Sequence, residues 1–244
     1  MDILGIIPAR FASTRFPGKP LAEIRGKSMI QRVYEQACKA KSLARVLVAT
    51  DDERIAAAVR DFGGQYIITA ADHQSGTDRC AEVAKAFPGF DAIINIQGDE
   101  PYIEPAQIDL LATCFDQPGT QLATLIKKIS TEEELFDHNI PKVIVNTAGE
   151  AIYFSRQTIP YIRGTATENW LETHQYYKHI GIYGYRRNVL LAVTRLPPSG
   201  LELAENLEQL RWIENNYRIQ TKITAIETIA IDTPEDLARL NNSL

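Results

Sequence analysis

The residues best suited to chemistry stand in the first twenty positions, in the run Ile6-Ile7-Pro8-Ala9-Arg10-Phe11-Ala12-Ser13-Thr14-Arg15-Phe16-Pro17-Gly18-Lys19-Pro20. Ile3 to Ile7 reads as a short buried strand that breaks at Pro8 into a loop carrying Arg10, Arg15 and Lys19. Three cations among small residues and free backbone N–H groups, at the end of a strand, suit a triphosphate. The plain alternative is a solvated loop turned by Pro and Gly. A second candidate is Gln97-Gly98-Asp99-Glu100-Pro101, which follows an apolar strand. A carboxylate at the carboxyl end of such a strand sits where open α/β sheets bind ligands, so Asp99 is the first candidate ligand for Mg²⁺. The amide of Gln97 can read a base or a ribose, although Gly98 and Asp99 also suit an ordinary turn. Asp232 follows another apolar run and is a second candidate carboxylate, but Asp232-Thr233-Pro234 is equally ordinary helix-start chemistry.

These groups need strands to carry them. Apolar runs alternate with helix-period segments through the first half: a helix over 28–40, a strand at Arg45–Thr50, a helix over 52–62 and a strand at Gln65–Thr69. A helix over 77–87, a strand at Ala92–Ile96 and a helix over 104–115 follow. This rhythm predicts an α/β fold, a mainly parallel sheet with helices on both faces. The second half is less regular. Strands are expected at Ala123–Ile129, Lys142–Val145, Ala151–Phe154 and Ile180–Tyr185, then one strong helix over 201–216 and an extended run Ile219–Ile231. A last helix starts with Thr233 as its cap and Pro234 at its first position. The chain then reads as one domain: a core of about 1–128 and 221–244, and a smaller mixed lobe of about 129–220.

Composition narrows the partners. The chain has 244 residues, 45% of them hydrophobic, enough for a real core. Its net charge of −5 argues against a nucleic-acid surface, so cations for an anionic ligand must be concentrated locally, as the first loop does. Cys38, Cys80 and Cys114 are odd in number and widely spaced, which fits a reducing compartment and no zinc site; Cys38 and Cys80 fall in helical stretches and are expected to be buried thiols. The first residues form neither a signal peptide nor a membrane span, and the expectation is no membrane association.

Two common phosphate devices are absent. No G-x-G-x-x-G follows the first strand, and Gly26-Lys27-Ser28 lacks the earlier glycine of a P-loop, having Leu21 in its place. The motifs that remain are IPARFASTRFPGKPL, VATDD (48–52), DHQSGTDR (72–79), NIQGDEP (95–101), YFSR (153–156), IP (159–160), HIGIYGYR (179–186), LEQLR (207–211) and IDTPEDL (231–237). In that order they resemble the 3-deoxy-manno-octulosonate (Kdo) cytidylyltransferase family of nucleotide-sugar-forming enzymes, across nearly the whole chain.

The resemblance implies a nucleotide-diphospho-sugar transferase-like, Rossmann-like fold and CTP and Kdo as substrates. It implies Ala9, Arg10, Ser13, Arg15, Lys19, Asp72, Ser75, Gly76, Arg79 and Gln97 at the nucleotide, with Arg10, Lys19, Asp99 and Asp232 serving catalysis. Asp99 and Asp232 would together hold Mg²⁺. Ser75 or Thr77 also reads as the cap of the helix over 77–87, and both roles are compatible. For the sugar acid the resemblance points to Arg156, His179, Tyr183, Glu208 and Gln209. His179, Gly181, Tyr183 and Tyr185 share one face of a strand, and the tyrosines equally suit core packing. The implied setting is a bacterial cytoplasmic homodimer feeding lipopolysaccharide assembly. A sialate cytidylyltransferase is the nearest alternative. A glycosyltransferase would want an Asp-x-Asp where Gln97-Gly98-Asp99 stands, and a nucleotide sensor would not need the full charge set. Residues 161–178 carry no usable motif, and Glu104 stands where a Pro or small residue is expected.

Overall fold

The structure, a computed structural model, describes residues 1–12, 16–227, 230–231 and 233–243, with the side chains of 241–243 left aside. Its strands are β1 (Ile3–Ala9), β2 (Glu23–Ile24), β3 (Lys27–Ser28), β4 (Arg45–Thr50), β5 (Tyr66–Ile68), β6 (Ala92–Asn95), β7 (Leu122–Lys128), β8 (Lys142–Val145), β9 (Ala151–Ser155), β10 (Tyr177–Arg186) and β11 (Ile219–Thr224). The helices are α1 (Met29–Ala37), α2 (Glu53–Asp61), α3 (Gly76–Ala86), α4 (Pro105–Ala112), α5 (Glu132–Phe136), α6 (Trp170–Thr173), α7 (Arg187–Val193), α8 (Gly200–Glu205), α9 (Gln209–Glu214) and α10 (Pro234–Ser243).

The main sheet runs β11-β7-β10-β6-β1-β4-β5, with β8 and β9 appended to β10. β1, β4, β5 and β6 are parallel, as are β7 and β11, whereas β10 lies antiparallel between β6 and β7. Strand alternation sends side chains to two cores. Ile3, Ile7, Val46, Val48 and Ile94 pack with Ile30, Val33, Ile55, Ile108 and Leu111 of α1, α2 and α4. Leu4, Ile6, Leu47 and Ile93 pack with Cys80, Val83, Val189, Leu190, Leu210 and Trp212 of α3, α7 and α9. The expected mainly parallel sheet, covered on both faces, is therefore present.

The segment 129–220 does not stand apart as a lobe. Its strand β10 fills the middle of the main sheet, because Ile180 and Ile182 belong to one core and Tyr183 and Tyr185 to the other. What projects is the β8–β9 hairpin, beside a satellite cluster of Ile129, Leu135, Trp170 and Tyr176. The single helix expected over 201–216 is two helices. Asn206 takes a left-handed conformation (φ 52°) between α8 and α9, which Asn tolerates better than most residues. Among the described residues, the extended run expected to Ile231 forms a strand over Ile219–Thr224, paired with β7 as far as Lys127. Thr233 does cap α10, accepting from Asp236 N–H at 3.2 Å. Cys80 and Cys114 are buried, but Cys38 is exposed because it lies just past the last turn of α1. Among the described residues no helix is long and apolar enough to cross a membrane.

Candidate active site

The carboxyl ends of β1 and β6 lie side by side, since the two strands pair in parallel up to Ile6↔Asn95. A cavity of about 250 Å³ opens there, lined by Pro8, Ala9, Arg10, Lys19, Pro20, His73, Ser75, Gly76, Arg79, Gln97, Gly98 and Asp99. That volume is near the lower end for small-ligand pockets, which begin at roughly 300 Å³. Lys19 Nζ donates to Asp99 Oδ2 at 2.7 Å inside it, so a cation from the first loop and the candidate metal carboxylate face one another. The loop turns back at Gly18 (φ 72°), whose N–H donates to Phe11 O at 2.9 Å. Gly98 is needed for closeness: a Cβ there would stand 3.0 Å from the carbonyl oxygen of Pro8.

The third wall is the start of α3. Ser75 is its cap, accepting from Asp78 N–H at 3.1 Å, while Ser75 N–H donates to Asp78 Oδ2 at 3.2 Å. This reciprocal capping leaves the helix N-terminus facing the cavity, where it favours an anion. Arg79 lines the cavity but is buried and largely committed. Its guanidinium donates to Thr69 Oγ1 and to Ala70 O, and lies 3.3 Å from Asp51 Oδ1. Arg10 is exposed at the rim.

Behind this wall lies a second polar group. Glu208, at the start of α9, accepts from Thr77 Oγ1 at 2.6 Å, so α9 is tied to the turn of α3 that borders the cavity. Burial raises the Glu208 pKa, opposed by the hydroxyls of Thr77 and Ser75. Tyr183 stacks between His179 (centroids 5.1 Å apart, tilted) and Trp212 (5.1 Å, edge-on). Burial, then the nearby Glu208 charge, raises the Tyr183 pKa well above its usual value, so it stays a neutral phenol. His179 is lowered to about 3 by burial. Its Nε2 lies 3.0 Å from Thr124 Oγ1, whose single hydrogen is engaged by Ile182 O at 2.7 Å.

A sequence profile described as Cytidylyltransferase matches residues 4–223. A 3-deoxy-manno-octulosonate cytidylyltransferase of Cytophaga hutchinsonii is 58% identical, over 100% of this chain and 98% of the relative. One of Parabacteroides distasonis is 57% identical, over 98% and 96%. A solved structure of CMP:2-keto-3-deoxy-manno-octonic acid synthetase complexed with CTP superposes with a TM-score of 0.92 at 44% identity, covering 100% of this chain and 98% of that one. This chain belongs to the 3-deoxy-manno-octulosonate cytidylyltransferase family. A glucose-1-phosphate thymidylyltransferase structure from Bacillus anthracis, at TM-score 0.66 and 16% identity, shares the fold.

Of the residues named from the sequence, the cavity gathers Ala9, Arg10, Lys19, Ser75, Gly76, Arg79, Gln97 and Asp99. Asp72 is exposed and does not line it; its carbonyl instead accepts from Gln74 Nε2. Ser13, Arg15 and Asp232 lie outside the described residues. Ile231 N–H donates to Asp99 O at 2.9 Å, which brings the described end of the segment before Asp232 beside Asp99. Among the described residues no three His, Cys, Asp or Glu side chains cluster to cage a metal. Mg²⁺ does not require such a cage: one or two carboxylates suffice when phosphate oxygens and water complete the shell, and Asp99 in an open cavity fits.

His179, Tyr183, Glu208 and Gln209 fall behind the cavity rather than on its wall. Arg156 is committed elsewhere. Its guanidinium donates to the carbonyls of Glu205 (2.7 Å), His138 (3.2 Å) and Asn206 (3.3 Å). No hydrogen bond or ion pair among the described residues joins it to the other four.

Three residues escaped the sequence reading. His73 lines the cavity and pairs with Glu82, which fixes the loop before α3. Its motif position was the available signal. Thr77, read only as a possible cap, binds Glu208. Glu100 is buried beside Asp99, its pKa pushed up to about 8 by burial and then by the Asp99 charge. Adjacent acidic residues in a turn give no hint of which one turns inward.

Proposed function

We propose that the protein transfers a cytidylyl group from CTP to Kdo, giving CMP-Kdo and pyrophosphate. The observation that carries this reading is the Lys19–Asp99 pair in a cleft formed by the ends of β1 and β6, within a full-length Kdo cytidylyltransferase match. Arg10 and Lys19 hold the β- and γ-phosphates and neutralise the departing pyrophosphate. The N-terminus of α3 and the close backbone approach at Gly98 favour the α-phosphate. Gln97 contacts the nucleoside.

The sugar acid occupies the polar group between β10 and α9, with Tyr183, His179, Glu208 and Gln209 as its partners. Its anomeric hydroxyl at C2 attacks the α-phosphorus in line with the pyrophosphate. His179, neutral and half-buried, orients the sugar and is no strong base. Asp99, with Asp232, would hold Mg²⁺, which supplies charge neutralisation at the α-phosphate and acidifies the attacking hydroxyl. Placement and electrostatics account for the rate, as little covalent work falls to the protein. The reading extends to a cytoplasmic homodimer supplying lipopolysaccharide assembly.

The test is pyrophosphate release with Mg²⁺, crossing CTP, UTP, GTP and ATP with Kdo and N-acetylneuraminate. Release is expected only with CTP and Kdo. Release with CTP and N-acetylneuraminate would move the sugar assignment, and no release with any pair would overturn the enzyme reading.

A further inference from the structure

Asn95 is the one polar residue in the apolar run Ala92-Ile93-Ile94-Asn95-Ile96 that forms β6 and its exit. It is 3% exposed, and its Oδ1 has no hydrogen-bond partner. A valine or leucine would fill such a position without the desolvation cost that a lone buried amide carries. That cost is offset when a bound molecule supplies the missing partner.

The surroundings name that molecule's class. Asn95 stands opposite Tyr183 in the antiparallel β6–β10 register, and opposed residues project to the same face. Ile93, two residues back, packs in the core beneath α3 and α9, which fixes that face. A Cβ on Gly76 would lie 3.9 Å from Asn95 Nδ2, so the amide also abuts the first residue of α3, on the wall of the nucleotide cleft. Three further buried atoms of this region lack partners: the Tyr183 and Tyr185 hydroxyls and Gln209 Nε2. Acceptor, donor and hydroxyl thus come from β6, α9 and β10. A polyhydroxylated ligand, whose hydroxyls donate and accept, satisfies such a mixed set; an apolar or purely anionic one does not.

We propose that Asn95 is a specificity-determining residue for the sugar: its amide oxygen accepts a hydrogen bond from a hydroxyl of the acid sugar, at the junction of nucleotide and sugar sites. This rests on the Kdo cytidylyltransferase reading. Wild-type turnover of CTP and Kdo tests that reading, and the ratio of variant to wild type tests Asn95.

The variants are Asn95→Leu, which keeps the branching and number of heavy atoms, and Asn95→Ala, which fits without clash. Both are expected to raise the KM for Kdo at least about tenfold, the loss of one buried hydrogen bond. The CTP Kd, measured by calorimetry without sugar, is expected to stay within about twofold, and Asn95→Leu is expected to melt no lower than wild type. Asn95→Ser, whose hydroxyl oxygen can still accept a hydrogen bond, is expected to recover part of the KM relative to Asn95→Ala. An unchanged KM for Kdo in Asn95→Ala would overturn the proposal, whatever the fate of the leucine variant. A parallel rise in the CTP Kd would overturn it too, assigning Asn95 to the nucleotide. Wild-type protein inactive on CTP and Kdo would remove the reading and the proposal together.

Discussion

At the residue scale, the site is held by a few buried polar contacts that pass between helices. Thr77 illustrates this best. It follows the glycine that borders the cleft, and its hydroxyl reaches Glu208, just before α9, at 2.6 Å. Thr77→Val would leave the half-buried Glu208 with one donor fewer. The expected loss is about 1–3 kcal/mol of stability by urea unfolding, with a raised KM for Kdo. Unchanged stability and kinetics would show the contact to be incidental. Sequence exposed much at this scale. Arg10, Lys19, Gln97 and Asp99 are legible because functional groups at strand ends interrupt apolar runs. Glu100 and Thr77 are not, because whether a polar side chain turns inward depends on packing from elements distant in the chain. Arg156 shows the converse limit: a cation in a recognisable motif that the fold directs to backbone carbonyls.

At the element scale, hydrophobic period locates strands and helices but gives neither direction nor breaks. The strand at Arg45–Thr50 agrees residue for residue with β4, and Lys142–Val145 with β8. The antiparallel setting of β10 was not legible, since alternation looks the same in either direction. The break at Asn206 was hidden because Leu203, Leu207 and Leu210 continue a helical spacing. That break has a use: it starts α9 afresh at Gln209, with Glu208 facing Thr77. Backbone closeness is the other element-level device. Gly98→Ala would place a Cβ 3.0 Å from the Pro8 carbonyl oxygen, forcing β1 and β6 apart at the cleft. The expected result is a destabilisation of about 1–3 kcal/mol together with weaker CTP binding, read by thermal melting and calorimetry. Wild-type affinity would mean that the cleft tolerates the widening.

At the scale of the whole molecule, the sheet with helices on both faces draws His179 away from water, and the consequence is measurable as pH dependence. His179 is neutral in the fold down to about pH 3, whereas in the unfolded chain it takes a proton near pH 6.5. Below pH 6.5 the unfolded state therefore binds more protons. Stability is whole above that pH and falls as pH drops toward 3, by about 2 kcal/mol at pH 5. The stability gap between wild type and His179→Gln is expected to shift against wild type by that amount between pH 7 and pH 5. A gap independent of pH would mean that His179 gains its proton in the fold as readily as outside it.

The charge set at the ends of β1 and β6 is the centre of the account, and Asp99→Asn tests it most directly. Pyrophosphate release from CTP and Kdo should be measured for wild type and variant, with circular dichroism and melting to verify the fold. The expected result is a loss of at least about a hundredfold in turnover with the fold intact. Turnover near that of wild type would contradict the assignment of Asp99 and, with it, the chemistry placed at this cleft.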